Sequence, residues 1–249
     1  MKYYTEPIIS EIEYQLLAKL GKKLGVPVPE CFLEMEVRMP DGRVTHHHRQ
    51  RSHSWTRNAY NHMASQLMAK NGDDTTFAAG KLSIKDTSEV VKYGELGIGV
   101  GAGTGGTPWV SMDTVVSDGY LAAAADDTSG IVVGSGAGAE SFEDFALGTQ
   151  IANGTGGGQL SHGASEATTV AYVAGTKTLT ATLIRYFNNN SGGSIDVNEV
   201  GIYAVGHTGA HASAHSHWLQ SRDKLSSAVA VANTGQLKVQ YAISLVYPS

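Results

Sequence analysis

The last twelve positions of the alternating C-terminal segment, Gln236-Leu-Lys-Val-Gln-Tyr-Ala-Ile-Ser-Leu-Val-Tyr247, constrain this chain most. Leu237, Val239, Tyr241, Ile243, Leu245 and Tyr247 share one parity; Lys238, Gln240, Ala242, Ser244 and Val246 share the other. Successive side chains of a strand point to opposite faces, so this pattern specifies a β-strand with one buried and one largely wet face. A strand of that length needs neighbours. The fold class it implies is mainly β, an antiparallel β-sandwich.

The rest of the chain fits that class. Short β-like runs fall at about 81–85, 96–100, 130–133, 168–174, 178–187, 195–205 and 217–220, separated by Gly, Ser, Thr and Asn. Thirty glycines against six prolines indicate many turns rather than a collagen-like repeat. The N-terminal part differs. Ile9, Ile12, Leu16, Leu20 and Leu24 recur at helical spacing over 7–24, with Ser10 and Glu13 as a capping box and Gly25 and Pro27 as the stop. Residues 32–51 read as a hairpin turning at Pro40-Asp41-Gly42. A second helix at about 55–70 follows Ser54 as N-cap. The expected organisation is an N-terminal helix–hairpin–helix segment whose first part, 1–53, docks on a partner. A domain over 54–249 follows, with a glycine-rich insertion at about 94–128.

Composition narrows the function classes. A net charge of −5 argues against a dedicated nucleic-acid binder. The single Cys31 excludes an intrachain disulfide framework and a Cys-based zinc finger. No apolar run approaches the ~20 residues of a membrane span, and the first residues lack a secretory pattern. Synthesis in a cytosol is the expectation.

Several motifs invite a chemical reading. Gly101-Ala-Gly-Thr-Gly-Gly106 matches a dinucleotide fingerprint by letter, but Thr107-Pro-Trp-Val-Ser follows without helical period, so a turn-rich loop is the better reading. His46, His47, His48 and His53 sit among Arg38, Arg43, Arg49, Arg51 and Arg57. That concentration of positive charge is either a docking face for an acidic partner or a solvated strand. In the strand, His46 and His48 share one face and His47 takes the other. His207, His211, His215 and His217 form a second cluster; His215 and His217 share a face and in a threefold assembly could surround one axial ion. A polar loop is the plainer reading. Glu140, Glu143 and Asp144 are too close in sequence for facing glycosidase carboxylates. Glu199 reads as structural. Trp109, Tyr120 and Trp218 are candidates for stacking on sugar rings, the reading of a carbohydrate-binding or carbohydrate-cleaving β protein.

A set of pieces occurs in a telling order: Ser54-Trp-Thr-Arg-Asn-Ala-Tyr60, Ile131-Val-Val-Gly-Ser-Gly136, Asp144-Phe-Ala-Leu-Gly148 and Asn188-Asn-Asn-Ser-Gly-Gly193. Asn198-Glu-Val-Gly-Ile-Tyr203, Leu219-Gln-Ser-Arg-Asp223 and the terminal strand complete it. Over about 54–249 this order resembles phage tail-collar fibre and baseplate-type β-sandwich modules. The resemblance implies a non-enzymatic virion structural protein made in the host cytoplasm. It would be a tail, collar or baseplate and fibre-anchor component, with capsid decoration as the alternative. It further implies other virion proteins as partners, a homo-oligomer with a trimer favoured, and no cofactor beyond the axial ion.

Overall fold

A computed structural model describes residues 2–4, 8–68, 83–92, 119–207 and 215–247. The fold is mainly β, with antiparallel sheets. In chain order the elements are β1 (Lys2–Tyr4), α1 (Ile8–Leu24), β2 (Pro29–Arg38), β3 (Val44–Arg51), α2 (Arg57–Met68), β4 (Ile84–Lys85) and β5 (Val91–Lys92). Then come β6 (Gly130–Gly134), β7 (Ser161–Ser165), β8 (Thr169–Val173), β9 (Thr178–Asn188), β10 (Ile195–His207), β11 (His215–Val231) and β12 (Gln236–Val246). The larger sheet runs β1-β3-β2-β12-β9-β7, with β8 also on β9; the second runs β11-β10-β6; β4 and β5 pair separately. Every strand pairing among the described residues is antiparallel except β1 with β3. No helix among the described residues is long and apolar enough to cross a membrane.

The terminal strand organises the larger sheet. β12 lies between β2 and β9, with Val239 opposite Met35 on one side and Arg185 on the other. Leu237, Val239 and Tyr241 are fully buried, as the alternation requires. The core thins beyond Tyr241: Ile243 and Leu245 are half-buried and Tyr247 is exposed. One cluster joins Leu33, Met35 and Val37 of β2 and Leu183 and Phe187 of β9 to Ile131 and Val133 of β6 and Val197, Val200 and Ile202 of β10. Both sheets therefore share one core.

Local signals explain the N-terminal elements. Gly25 takes φ +67 and ends α1, with Val26 N–H donating to Gly21 O and Gly25 N–H to Lys22 O; this is the Schellman pattern. Gly42 takes φ +83 in the turn between β2 and β3. The second helix starts later than its sequence suggests. Thr56, not Ser54, precedes its first turn, and its hydroxyl donates to Leu219 O at 2.7 Å, fixing the helix to β11. Asn58 adds a reciprocal pair with the Lys85 backbone, 2.8 Å each way.

The boundary expected at 53 does not fall between packing units. β2 lies inside the larger sheet, between β3 and β12, and its apolar side chains belong to the common core. A chain lacking residues 1–53 should therefore fail to fold. Leu33→Ala should cost about 2–5 kcal/mol and, like Val200→Ala in the opposite sheet, should shift one shared calorimetric transition. Two transitions that move separately would contradict a common core.

Candidate functional site

The outer side of β10 carries the densest polar constellation. Val200 and Ile202 point into the shared core, so Glu199, Gly201 and Tyr203 point the other way, towards the segment 135–149. Glu199 is fully buried. Its Oε1 accepts from Gly136 N–H at 3.0 Å and Thr149 N–H at 2.8 Å. Its Oε2 accepts from Gly148 N–H at 3.0 Å and Arg222 Nε at 2.7 Å. Arg222, on β11, also donates to Asp144 Oδ2 at 2.8 Å and to the carbonyls of Ala139 and Gly138. Burial pushes the Glu199 carboxyl up, but the Thr149 amide, the Arg222 guanidinium and the Gly148 amide together hold it below its ordinary value. Burial likewise opposes the Arg222 charge, and Asp144 and Glu199 more than restore it.

The glycines of this site are glycines because of crowding. A Cβ on Gly134 would lie 2.6 Å from Glu199 Oε1, and one on Gly136 would overlap that same oxygen. A Cβ on Gly201 would lie 2.9 Å from Leu147 and 3.0 Å from Leu219. Beside the ion pair, Tyr203 OH accepts from Leu147 N–H at 2.9 Å, and Val132, Leu147, Tyr203 and Leu219 form a small apolar cluster. Glu140 accepts from Lys224 N–H at 2.5 Å. The carboxylates of Glu140, Asp144 and Glu199 thus hold backbone and Arg222 in place. Four pieces of the ordered sequence set, at 131–136, 144–148, 198–203 and 219–223, meet here.

Two further buried polar groups were not legible as site residues. Asp223 is fully buried, and its Oδ2 accepts from Ser52 Oγ and Tyr241 OH, each at 2.8 Å. Burial pushes its carboxyl up to about 6. Arg185 of β9 is also fully buried and donates to the carbonyls of Gly163, Ser129, Ile131, Ala123 and Asp126. Burial lowers it to about 10. The one signal for Arg185 was parity: it shares the inward face with Leu183 and Phe187.

The other expected residues are placed as follows. His46 and His48 are buried and His47 faces outward to Glu34 at 2.8 Å, as the strand parity requires. The arginines do not form a free cationic face. Arg38 pairs with Glu36 at 2.6 Å, Arg43 with Asp41 at 3.5 Å and Arg57 with Glu143 at 3.2 Å. Arg51 holds Glu11 and Glu30, and Arg49 lies 3.5 Å above the Phe32 ring. Exposed pairs of this kind stabilise little, but they cancel the field that docking needs.

Trp218 is 5% exposed and packs with Ile84, Ala204 and the half-buried Tyr120. Neither ring is presented for sugar stacking, a correction with a packing cause: Ile84, Ala204 and the edge-on His62 ring at 5.9 Å cover Trp218, and Tyr120 packs against the same cluster. Trp109, His211 and the motif at 101–106 lie outside the described residues. His215 opposes His207 in the ladder. His217 Nδ1 donates to Thr128 O at 2.7 Å. No group of three or more His, Cys, Asp or Glu among the described residues is placed to hold a metal ion. Set against protein-family models, curated proteins and solved structures, the chain matches none of them.

Arg222→Met should destabilise by about 3–5 kcal/mol, because it leaves Glu199 buried and uncompensated. Glu199→Gln with Arg222→Met should cost less than the sum of the two single changes, read from denaturant midpoints in a double-mutant cycle. Asp223 should act with the opposite sign to a paired carboxylate. Its folded value of about 6 exceeds the unfolded one, so stability falls as pH rises from about 4 to 6 and the penalty is complete above that. Asp223→Asn should therefore raise stability at pH 8, by about 3 kcal/mol for two units, and the gain should vanish below about pH 4. A gain independent of pH would contradict this.

Proposed function

We propose that the chain is a non-enzymatic structural component of a phage particle, of the tail, collar or baseplate and fibre-anchor kind. In this reading its two sheets pack as a β-sandwich, and it assembles as a homo-oligomer, a trimer being favoured. The supporting observation is the meeting of four ordered sequence pieces around the Glu199–Arg222 pair. Each piece alone is weak. Their contact supplies a physical reason for the order: two strands carry the ion pair, and a glycine strand and an acidic loop close over it. Residues spent in this way serve rigidity, which suits a part that must keep its shape within an assembly. Docking through the N-terminal segment remains part of the reading, but through α1 rather than through the five arginines, four of which already hold carboxylates.

A glycan-binding reading is favoured by one feature, on residues other than those expected. A groove of about 360 Å³ on the outer face of the larger sheet is lined by Glu34, Glu36, Arg38, Tyr186 and Lys238, among others. Polar side chains around one aromatic ring suit a sugar.

Quantitative mass spectrometry of purified particles, with heads and tails separated, tests the main reading. The chain should be present at a fixed copy number in the tail fraction. Presence in heads alone would move it to capsid decoration. Absence from particles, together with glycan-array binding lost in Tyr186→Ala, would replace the particle reading with the glycan one.

A further inference from the structure

One edge of the larger sheet is left open. β8 bonds β9 on one side, and among the described residues no strand pairs with its other side. Tyr247 N–H donates to Lys177 O, and Glu166 N–H to Ile184 O. Backbone groups of successive strand residues point to opposite sides, so the odd residues of β9 bond β12 and the even ones bond β8. Thr178, Thr180 and Thr182 face Val173, Ala171 and Thr169. The N–H and C=O groups of Val170 and Tyr172 therefore point outward. Natural sheets protect such an edge with a charge, a proline, a bulge or a covering segment. Here Ser54 and Thr56 bond the outer edge of β11, Gln150 bridges to Gly134 of β6, and β7 loses register with β9 between His162 and Ser165. β8, Thr169-Val-Ala-Tyr-Val173, has none of these devices among the described residues, and all five of its residues are exposed. Val170 and Tyr172 lie opposite Ala181 and Leu179, on the core-side parity of Leu183, and the Tyr172 ring is 5.9 Å from that of Tyr247. An apolar strip thus accompanies the open edge where the core has thinned.

We propose that β8 pairs with β8 of a second copy of the chain, antiparallel about a two-fold axis normal to the sheet at Ala171. An open edge selects its occupant by backbone geometry, because its N–H and C=O groups are satisfied by another extended strand. The symmetry of β8 selects its own copy. The two outward residues stand one on each side of Ala171, so the two-fold sets Val170 opposite Tyr172 of the second copy, and Tyr172 opposite its Val170. Each such pair exchanges two backbone hydrogen bonds. Registers centred on Val170 or on Tyr172 would instead draw on Thr168 or Ala174, beyond the strand. Ala171 meets its own copy at the close, non-hydrogen-bonded position, where Cα atoms lie about 4.5 Å apart and a small side chain fits. Aromatic with β-branched, and Thr169 with Val173, are favourable cross-strand pairs, and β8 brings no charge to the axis. The same operation keeps the core-side faces of both sheets on one side and joins their strips of Val170, Tyr172 and Tyr247. A parallel pairing about a two-fold along the strand would put the strips on opposite faces. The contact is isologous and closes on itself, which ends the open edge. The pairing rests on the homo-oligomer half of the reading above, not on the particle.

Light scattering on the full chain provides the first test. The mass should be an even multiple of 26.2 kDa. Val170→Pro removes an outward N–H and leaves the bonds to β9 in place, and Ala171→Lys sets two ammonium groups face to face on the axis. Each should halve the mass while circular dichroism stays unchanged, since both positions are exposed. Cysteine pairing fixes the register, with the parent chain, whose Cys31 is buried, as control. Ala171→Cys alone should oxidise to a disulfide dimer. Thr169→Cys alone should not, because like residues lie about 13 Å apart along the strands, whereas a mixture of Thr169→Cys and Val173→Cys chains should. A monomeric parent, a mass unmoved by both Val170→Pro and Ala171→Lys, or a dimer that Thr169→Cys cross-links and Ala171→Cys does not would overturn the pairing. A monomer that still enters particles overturns the pairing and leaves the particle reading intact; a dimer absent from particles does the reverse.

Discussion

A buried carboxylate and a buried guanidinium, Glu199 and Arg222, set the terms for the second sheet. Neither charge could sit there alone, because removing an ion from water costs several kcal/mol. The fold meets that cost by aiming other groups at the pair. Three backbone N–H groups converge on Glu199, and Asp144 and two carbonyls converge on Arg222. Those donors and acceptors all come from one irregular segment, 136–149. The ion pair is therefore also what holds that segment over the outer face of β10, and its close approach is why Gly134 and Gly136 carry no side chain.

Arg185 solves the same problem differently at the larger sheet. Its direct acceptors are five backbone carbonyls, and the nearby Asp126 and Asp127 carboxylates add a longer-range attraction. Burial lowers it to about 10, which leaves it charged at neutral pH. The carbonyls belong to residues 123–131 and to Gly163, so one side chain of β9 fastens the approach to β6 and part of β7. The two cations thus tie loops to both sheets of one core. Asp223, to whose carboxylate Ser52 and Tyr241 donate among the described residues, is held less well, and its raised value records that difference.

The sequence was most legible where side-chain period and burial coincide. The parity of β12, the opposed faces of the His46–His48 run, the Gly25 stop and the Gly42 turn all follow from local rules. It was least legible where tertiary pairing overrides local pattern. β11 extends from 215 to 231 although only 217–220 reads as a strand, because its ladder with β10 carries polar stretches such as Ser221-Arg-Asp-Lys224. β7, Ser161-His-Gly-Ala-Ser165, shows no apolar alternation and exists through its pairing with β9. The arginines looked like a cationic face because sequence lists charges without their partners. Trp218 looked available because an aromatic ring in a short strand gives no sign of which layer covers it. The glycine and acidic pieces were visible as an ordered set, but their meeting at one carboxylate is a property of the fold.

Rigidity of the 136–149 segment is the point on which the structural reading turns, since a loop free to open could serve a ligand instead. Native-state hydrogen exchange at the amides of Gly136, Gly148 and Thr149 measures it directly. All three donate to the Glu199 carboxylate, so they should exchange only through global unfolding, as slowly as the central amides of β12. Exchange orders of magnitude faster than β12, unaffected by denaturant well below the midpoint, would show the segment opening on its own and would contradict the account.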